Sequence, residues 1–137
     1  MPLLLDTPRS YETGDINELP VAGSVQIFEG SAVGINSVNG MARPLAAGDL
    51  FVGFADRNAD NRLGAAGALR VRLREAGKIE VPIAGLAVTD IGKLVYASDS
   101  GAFTLTALNN SLVGHIHRFT SSGLGIVKYA AQAIPAA

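Results

Sequence analysis

The sequence predicts an all-β protein: a compact barrel or sandwich of short antiparallel strands, with an extended N-terminal arm. Three observations carry that expectation. From Ser24 onward, short runs of aliphatic and β-branched residues alternate with polar ones at period two. Turn signals such as Asn39-Gly40, Asp99-Ser100-Gly101 and Ser121-Ser122-Gly123 separate the runs. No long amphipathic helical pattern interrupts them.

Residues 1–23 hold three of the six prolines and keep no sustained period, so they read as an arm. Leu3, Leu4, Leu5, Tyr11, Ile16 and Leu19 make that arm too apolar for a purely solvated tail, and it is expected to lie against a neighbour or the domain's own surface. The β-domain is expected over residues 24–131. "SVQIFEG" alternates Val25 and Ile27 with Gln26. "AVGINSVNGMARPL" reads as two strands around Asn39-Gly40, the dipeptide suited to a type I′ turn. A turn at Gly48-Asp49 precedes an apolar strand over Leu50–Ala55. In "LRVRLREAGKIEVPIAG", Val71 and Leu73 alternate with arginines, and Ile79, Val81 and Ile83 alternate after Ala76-Gly77; the pattern predicts a hairpin there. Two further strand–turn–strand units follow, around Asp99–Gly101 and Ser121–Gly123, with a single helical turn expected at "VTDIG" or at Asn109-Asn110. Residues 132–137 read as a loose tail.

Length and composition bound the function. At 137 residues the chain is one domain's worth, and 48% hydrophobic with 17% charged residues is globular composition. No apolar run approaches the roughly 20 residues that a membrane-spanning helix needs, and "PLLL" lacks the basic flank of a signal peptide. The chain is therefore expected to be intracellular when made. Zero cysteines exclude disulfides and thiolate chemistry. A net charge of −1 gives no overall pull toward nucleic acid or membrane, and the absence of Trp leaves few stacking surfaces.

Several stretches suggest chemistry. Asp56, Asn58 and Asp60 alternate as in a calcium loop, but the sixth position is Asn61 where glycine is required, and the twelfth is Gly67 where a bidentate Glu is required. Asp and Asn are also the residues that turns prefer, so this stretch reads as an Asx-rich connector. The small residues Gly64–Gly67 after it permit close backbone approach, which an interface could use. His115 and His117, two apart on a strand, share one face and would supply two ligands of a site that needs three. No Gly-x-Ser-x-Gly elbow or Walker spacing is present, and Glu75 with Glu80, or Asp90 with Asp99, read as hairpin polar faces as readily as paired acids. Arg70, Arg72 and Arg74 form a strip on one strand face, suited to bidentate pairing with a partner's carboxylates. Candidate interface residues are thus Leu3, Leu4, Leu5 and Tyr11 of the arm, the three arginines, and Asp56, Asn58, Asp60 and Asn61.

"GMARPLAAGDLFVGFADRNADN", "GAAG", Leu69–Gly85 and "TDIGKLVYASDSGAFTLTALNNSLVGHIHRF" together resemble the small cement, or decoration, proteins of tailed bacteriophage and prophage heads. Val95–Asp99 and Phe103–Thr106 are the most characteristic residues, and the resemblance runs from Val25 to Val127. It implies a β-barrel-like, non-enzymatic protein with no cofactor. Its partner would be the major capsid protein on the outer surface of an expanded head, usually bound as a homotrimer, with no nucleic acid or membrane involved. Such a protein is made in the host bacterial cytoplasm and resides on the virion. The main alternative is another virion β-module, a tail or receptor-binding component; a metal-dependent enzyme is the distant third.

Overall fold

The structure, a computed structural model, describes residues 2, 4–10, 12–134 and 136. Its strands are β1 (Ile16–Pro20), β2 (Val25–Ile27), β3 (Ala32–Ile35), β4 (Ala42–Pro44), β5 (Leu50–Ala55), β6 (Ala59–Asn61), β7 (Arg70–Arg74), β8 (Ala76–Pro82), β9 (Leu94–Ala97), β10 (Phe103–Thr104), β11 (Ser111–Ser121) and β12 (Leu124–Ala130). The expected all-β class holds: among the described residues the only helical element is one 3-10 turn, Val88–Asp90, inside "VTDIG".

The strands form three antiparallel layers. A first sheet runs β1-β7-β5-β3-β4, a second runs β10-β9-β11-β12-β8, and β2 pairs with β6 as a two-stranded ribbon. Between the two sheets lies one core, built from Phe51, Phe54, Ala32 and Leu45 against Val81, Ile83, Val95, Val113, Ile116, Val127 and Tyr129. A second core lies on the first sheet's other side, where Val33, Val52, Ala55, Val71 and Leu73 pack with Ile27 and Ala59 of the ribbon. The first sheet is thus buried on both faces, which is why β5 reads "LFVGFA" without polar interruption. A register shift of β5 against β3 lets Val33 face Gly53 and Gly34 face Phe51. That bulge puts Phe51 and Phe54, three apart, in the same core while Val52 faces the other. Phe54 meets Phe51 and Tyr129 edge-on, with ring centroids 5.3 and 4.8 Å away.

Three sequence expectations need correction. The hairpin expected at Ala76-Gly77 does not exist. Both edges of β7 are taken, by β1 and by β5, so β8 cannot pair with it. Only Glu75 lies between the two strands, and β8 instead pairs with β12 in the second sheet. Gly77, at φ 147, carries the change of direction. Glu75 itself fastens the crossing: its N–H donates to Asp15 O at 2.8 Å and its carbonyl accepts from Ala131 N at 2.7 Å.

The N-terminal arm is also shorter than expected. Ile16–Pro20 is a full strand in register with Arg74–Arg70, and Val21 is completely buried. Sequence periodicity missed it because Asn17, Glu18 and Pro20 are poor strand formers; pairing with β7 stabilises the strand. At the other end, Gln132 N donates to Phe51 O at 2.9 Å, so the domain holds the chain one residue beyond the expected boundary.

Finally, β3 and β4 do form a hairpin around Asn39-Gly40, but not through a type I′ turn. That turn needs positive φ at both central residues, and of the two only Gly40 has it, at φ 70. The loop is longer: Gly40 N donates to Asn36 O at 2.8 Å, and the Asn36 and Asn39 side-chain oxygens accept from Val38 N and Met41 N at 2.9 Å.

Candidate functional site

The Asp56–Asn61 stretch was expected to be a connector, and half of it is. Ala59–Asn61 is strand β6, paired with β2 in the register Val25–Asn61 and Ile27–Ala59. Its oxygens do not converge. Asp56 faces β7, accepting from Arg74 Nε at 2.9 Å and lying 3.2 Å from Arg72 Nε. Asn58 Oδ1 accepts from Gln26 Nε2 at 3.2 Å. Asp60 is gripped by Arg62 through Nε and Nη2, both at 2.9 Å, and these bonds hold its carboxyl below the usual range. Asn61 points the opposite way, into the protein, and is 2% exposed. Its Nδ2 donates to Ala22 O at 2.9 Å and Ala65 O at 3.0 Å, with Val21 O at 3.4 Å. Among the described residues, no three His, Asp or Glu side chains come together as a metal site would require.

The small-residue loop after β6 is likewise used internally. A Cβ on Gly64 would collide with Asn61 Oδ1, and one on Gly23 would lie 3.1 Å from Ala66 N. Gly67 N donates to Val21 O at 2.9 Å. The close approach that glycine permits here is between segments 21–24 and 61–68 of the same chain.

The arginine strip meets carboxylates of its own chain. Arg74 bonds Asp56 and lies 3.6 Å from Asp15, and those interactions raise the Arg74 pKa above its ordinary value. Arg72 sits beside Asp56 and directly across from Glu18 of β1. Only Arg70 of the three makes no salt bridge among the described residues; it shares a pocket of about 300 Å³ with Glu18, Arg57 and Asn58. Of the arm residues, Leu4 and Leu5 are 87% and 81% exposed, whereas Leu3 and Tyr11 lie outside the described residues.

His115 and His117 flank the buried Ile116 on β11, which shifts register between Ile116 and Arg118 against β12. His117 is the unpaired residue of that bulge. Of the candidate acid pairs, Asp90 accepts from Ala87 N and Lys93 Nζ at 2.9 Å each, and Asp99 accepts from Gly101 N at 2.8 Å. Both are occupied by local structure.

No motif in the sequence marks a cleft of about 560 Å³ between the β3–β4 loop, the start of β11 and residues 132–134. Ile35, Leu50, Phe51, Leu112 and Ile134 supply its apolar lining. Its charged wall is one bidentate pair, Arg43 Nε and Nη2 to Asp49 at 2.9 and 2.7 Å, with Asp49 also accepting from Ala46 N. Gly34 makes room for that carboxylate, since a Cβ there would lie 2.7 Å from Asp49 Cβ. The pair neutralises itself and presents no base or nucleophile to the cleft. Its components come from positions 35 to 134, a convergence no local spacing encodes.

Compared with protein-family models, curated proteins and solved structures, the chain matches none. Among the described residues, no helix is long and apolar enough to cross a membrane.

Proposed function

We propose that this protein is a structural decoration protein of a tailed-phage head, binding the major capsid protein on the outer surface of the shell without catalysis. One observation carries the reading: ten large apolar side chains stand at least half exposed among the described residues. Leu63 and Val38 are 104% and 90% exposed at loop tips, and Leu4, Leu5, Phe28, Leu94 and Leu108 join them. Burial of such groups against a partner gains about 25 cal/mol per Å², before association costs. A rigid three-layer body with apolar projections suits repeated contact on a lattice. A homotrimer would multiply each weak contact through avidity. The segments that resemble cement proteins, Val95–Asp99 and Phe103–Thr106, support the same reading.

Co-sedimentation of the purified protein with expanded empty heads of its cognate phage tests it. Saturable binding at lattice stoichiometry, with a raised head-disruption temperature, is the expected result. Sedimentation of the heads alone, with the protein left in the supernatant, would refute it. The arm is tested by removing residues 1–12, which spares β1; removal of 1–20 would strip a strand from the first sheet and confound the result.

A further inference from the structure

The outer face of the second sheet carries a row of cations that the fold itself does not explain. Register aligns Leu94 of β9, His115 of β11, Lys128 of β12 and Lys78 of β8 directly across from one another. In-register neighbours project from the same face of a sheet. The next row holds Arg118, Ile126 and Glu80, and His117 bulges between the two rows. Partial desolvation and then the charges of Lys78, Arg118, Lys128 and His115 hold the His117 imidazolium below the usual histidine range, a second sign that these groups crowd together.

Like charges placed directly opposite on adjacent strands cost stability. Of the eight cations elsewhere, five (Arg43, Arg62, Arg72, Arg74 and Lys93) meet a carboxylate, and none of the eight stands directly across from another cation in a strand pair. Lys78, Lys128 and Arg118 make no salt bridge among the described residues. Glu80, two residues from Lys78 on β8, is the one carboxylate in these rows. Beside the cations, Leu94, Leu112 and His115 line a shallow groove of about 290 Å³.

We propose that this face docks an acidic polypeptide segment of a partner protein, its carboxylates meeting Lys78, Lys128 and Arg118 and its apolar side chains entering the groove beside Leu94 and Leu112. Charge complementarity selects an anion. The apolar flank favours a polypeptide over a phosphate backbone, and a chain of net charge −1 has no overall field to draw a polyanion. The inference does not rest on the capsid reading, because its test needs no heads.

Fluorescence anisotropy of the full chain with a labelled peptide of interspersed Glu and Leu provides the test. A peptide with Gln replacing Glu and a labelled single-stranded oligonucleotide serve as comparison probes. The Glu peptide is expected to bind, to weaken with added salt, and to lose about tenfold in affinity for each of Lys78→Gln, Lys128→Gln and Arg118→Gln. Arg57→Gln, on another surface, is expected to change nothing. Lys78→Glu supplies a second readout: it removes the repulsion with Lys128, so it should raise the unfolding midpoint while abolishing peptide binding. Absence of binding, equal binding of the Gln peptide, tighter binding of the oligonucleotide, or a lowered midpoint for a folded Lys78→Glu would each overturn the proposal.

Discussion

Replacing Asn61 by alanine tests whether the stretch that most resembled a metal loop is in fact a structural strut. The Asn61 amide donates to Ala22 O and Ala65 O at 2.9 and 3.0 Å, joining the chain before β2 to the loop after β6. Truncation removes both bonds: Ala65 O keeps its bond from Ala68 N at 3.1 Å, but Ala22 O is left without a donor in a partly buried site. Each such group costs about 1–3 kcal/mol. Water entering the space offsets part of this and the lost bond to Ala65 O adds to it, so Asn61→Ala should lose about 1–3 kcal/mol, a sizeable share of the ~5–15 kcal/mol typical of a domain. Urea unfolding measures it as a lowered midpoint at unchanged slope. A double-mutant cycle sharpens the point. Gly64→Ala drives a Cβ into Asn61 Oδ1 and should destabilise alone, but that collision is absent in the Asn61→Ala background. The two changes should therefore be non-additive by about 0.5–3 kcal/mol. An Asn61→Ala loss under about 0.5 kcal/mol, the range of ordinary surface changes, or strict additivity, would refute the strut.

Gly53→Ala should cost about 2–3 kcal/mol, because φ is 139 and the new Cβ would lie 2.6 Å from Arg74 O; thermal unfolding reads it directly. Phe54→Ala, which removes the ring meeting Phe51, Phe103 and Tyr129, should lose about 3–5 kcal/mol in urea and flatten the near-ultraviolet dichroism. Acid should destabilise the fold. Bonds from Arg62 to Asp60 and from Lys93 and then Ala87 N to Asp90 lower both folded pKa values, so their contribution is present above the unfolded value of about 4 and is lost as pH falls. The unfolding midpoint should drop below that pH, and less steeply for Asp90→Asn. At the alkaline end, burial raises the Tyr129 pKa, so stability should decline as pH passes about 10, and Tyr129→Phe should remove that decline.

Local signals and long-range ones differed in how well the sequence displayed them. The β9–β10 and β11–β12 hairpins were legible because their turns are encoded within a few residues, Asp99–Gly101 and Ser122-Gly123. The β5 strand was legible because burial on both faces left an unbroken apolar run. The β7–β8 crossing was not, since alternation on both sides of Ala76-Gly77 is identical for a hairpin and for two strands in different sheets. Which reading holds depends on β1 and β5 having already occupied the edges of β7. The same limit governed the surface. Three arginines in a row were visible, but not that Asp56 and Asp15 would meet two of them. Lys78 and Lys128 lie 50 positions apart, and only the β8–β12 register brings them together. Nor was the bulge after Ile116 visible: it keeps Arg118 exposed beside His117, where period-two alternation would turn it inward.

We propose that this chain works by contact on a shell. A cryo-EM difference map between expanded heads with and without the protein tests that claim most directly. Discrete added density is expected on the outer surface at symmetry-related positions, into which the three-layer body fits with apolar tips toward the shell. Identical maps at saturating protein, or density confined to the tail, would contradict it.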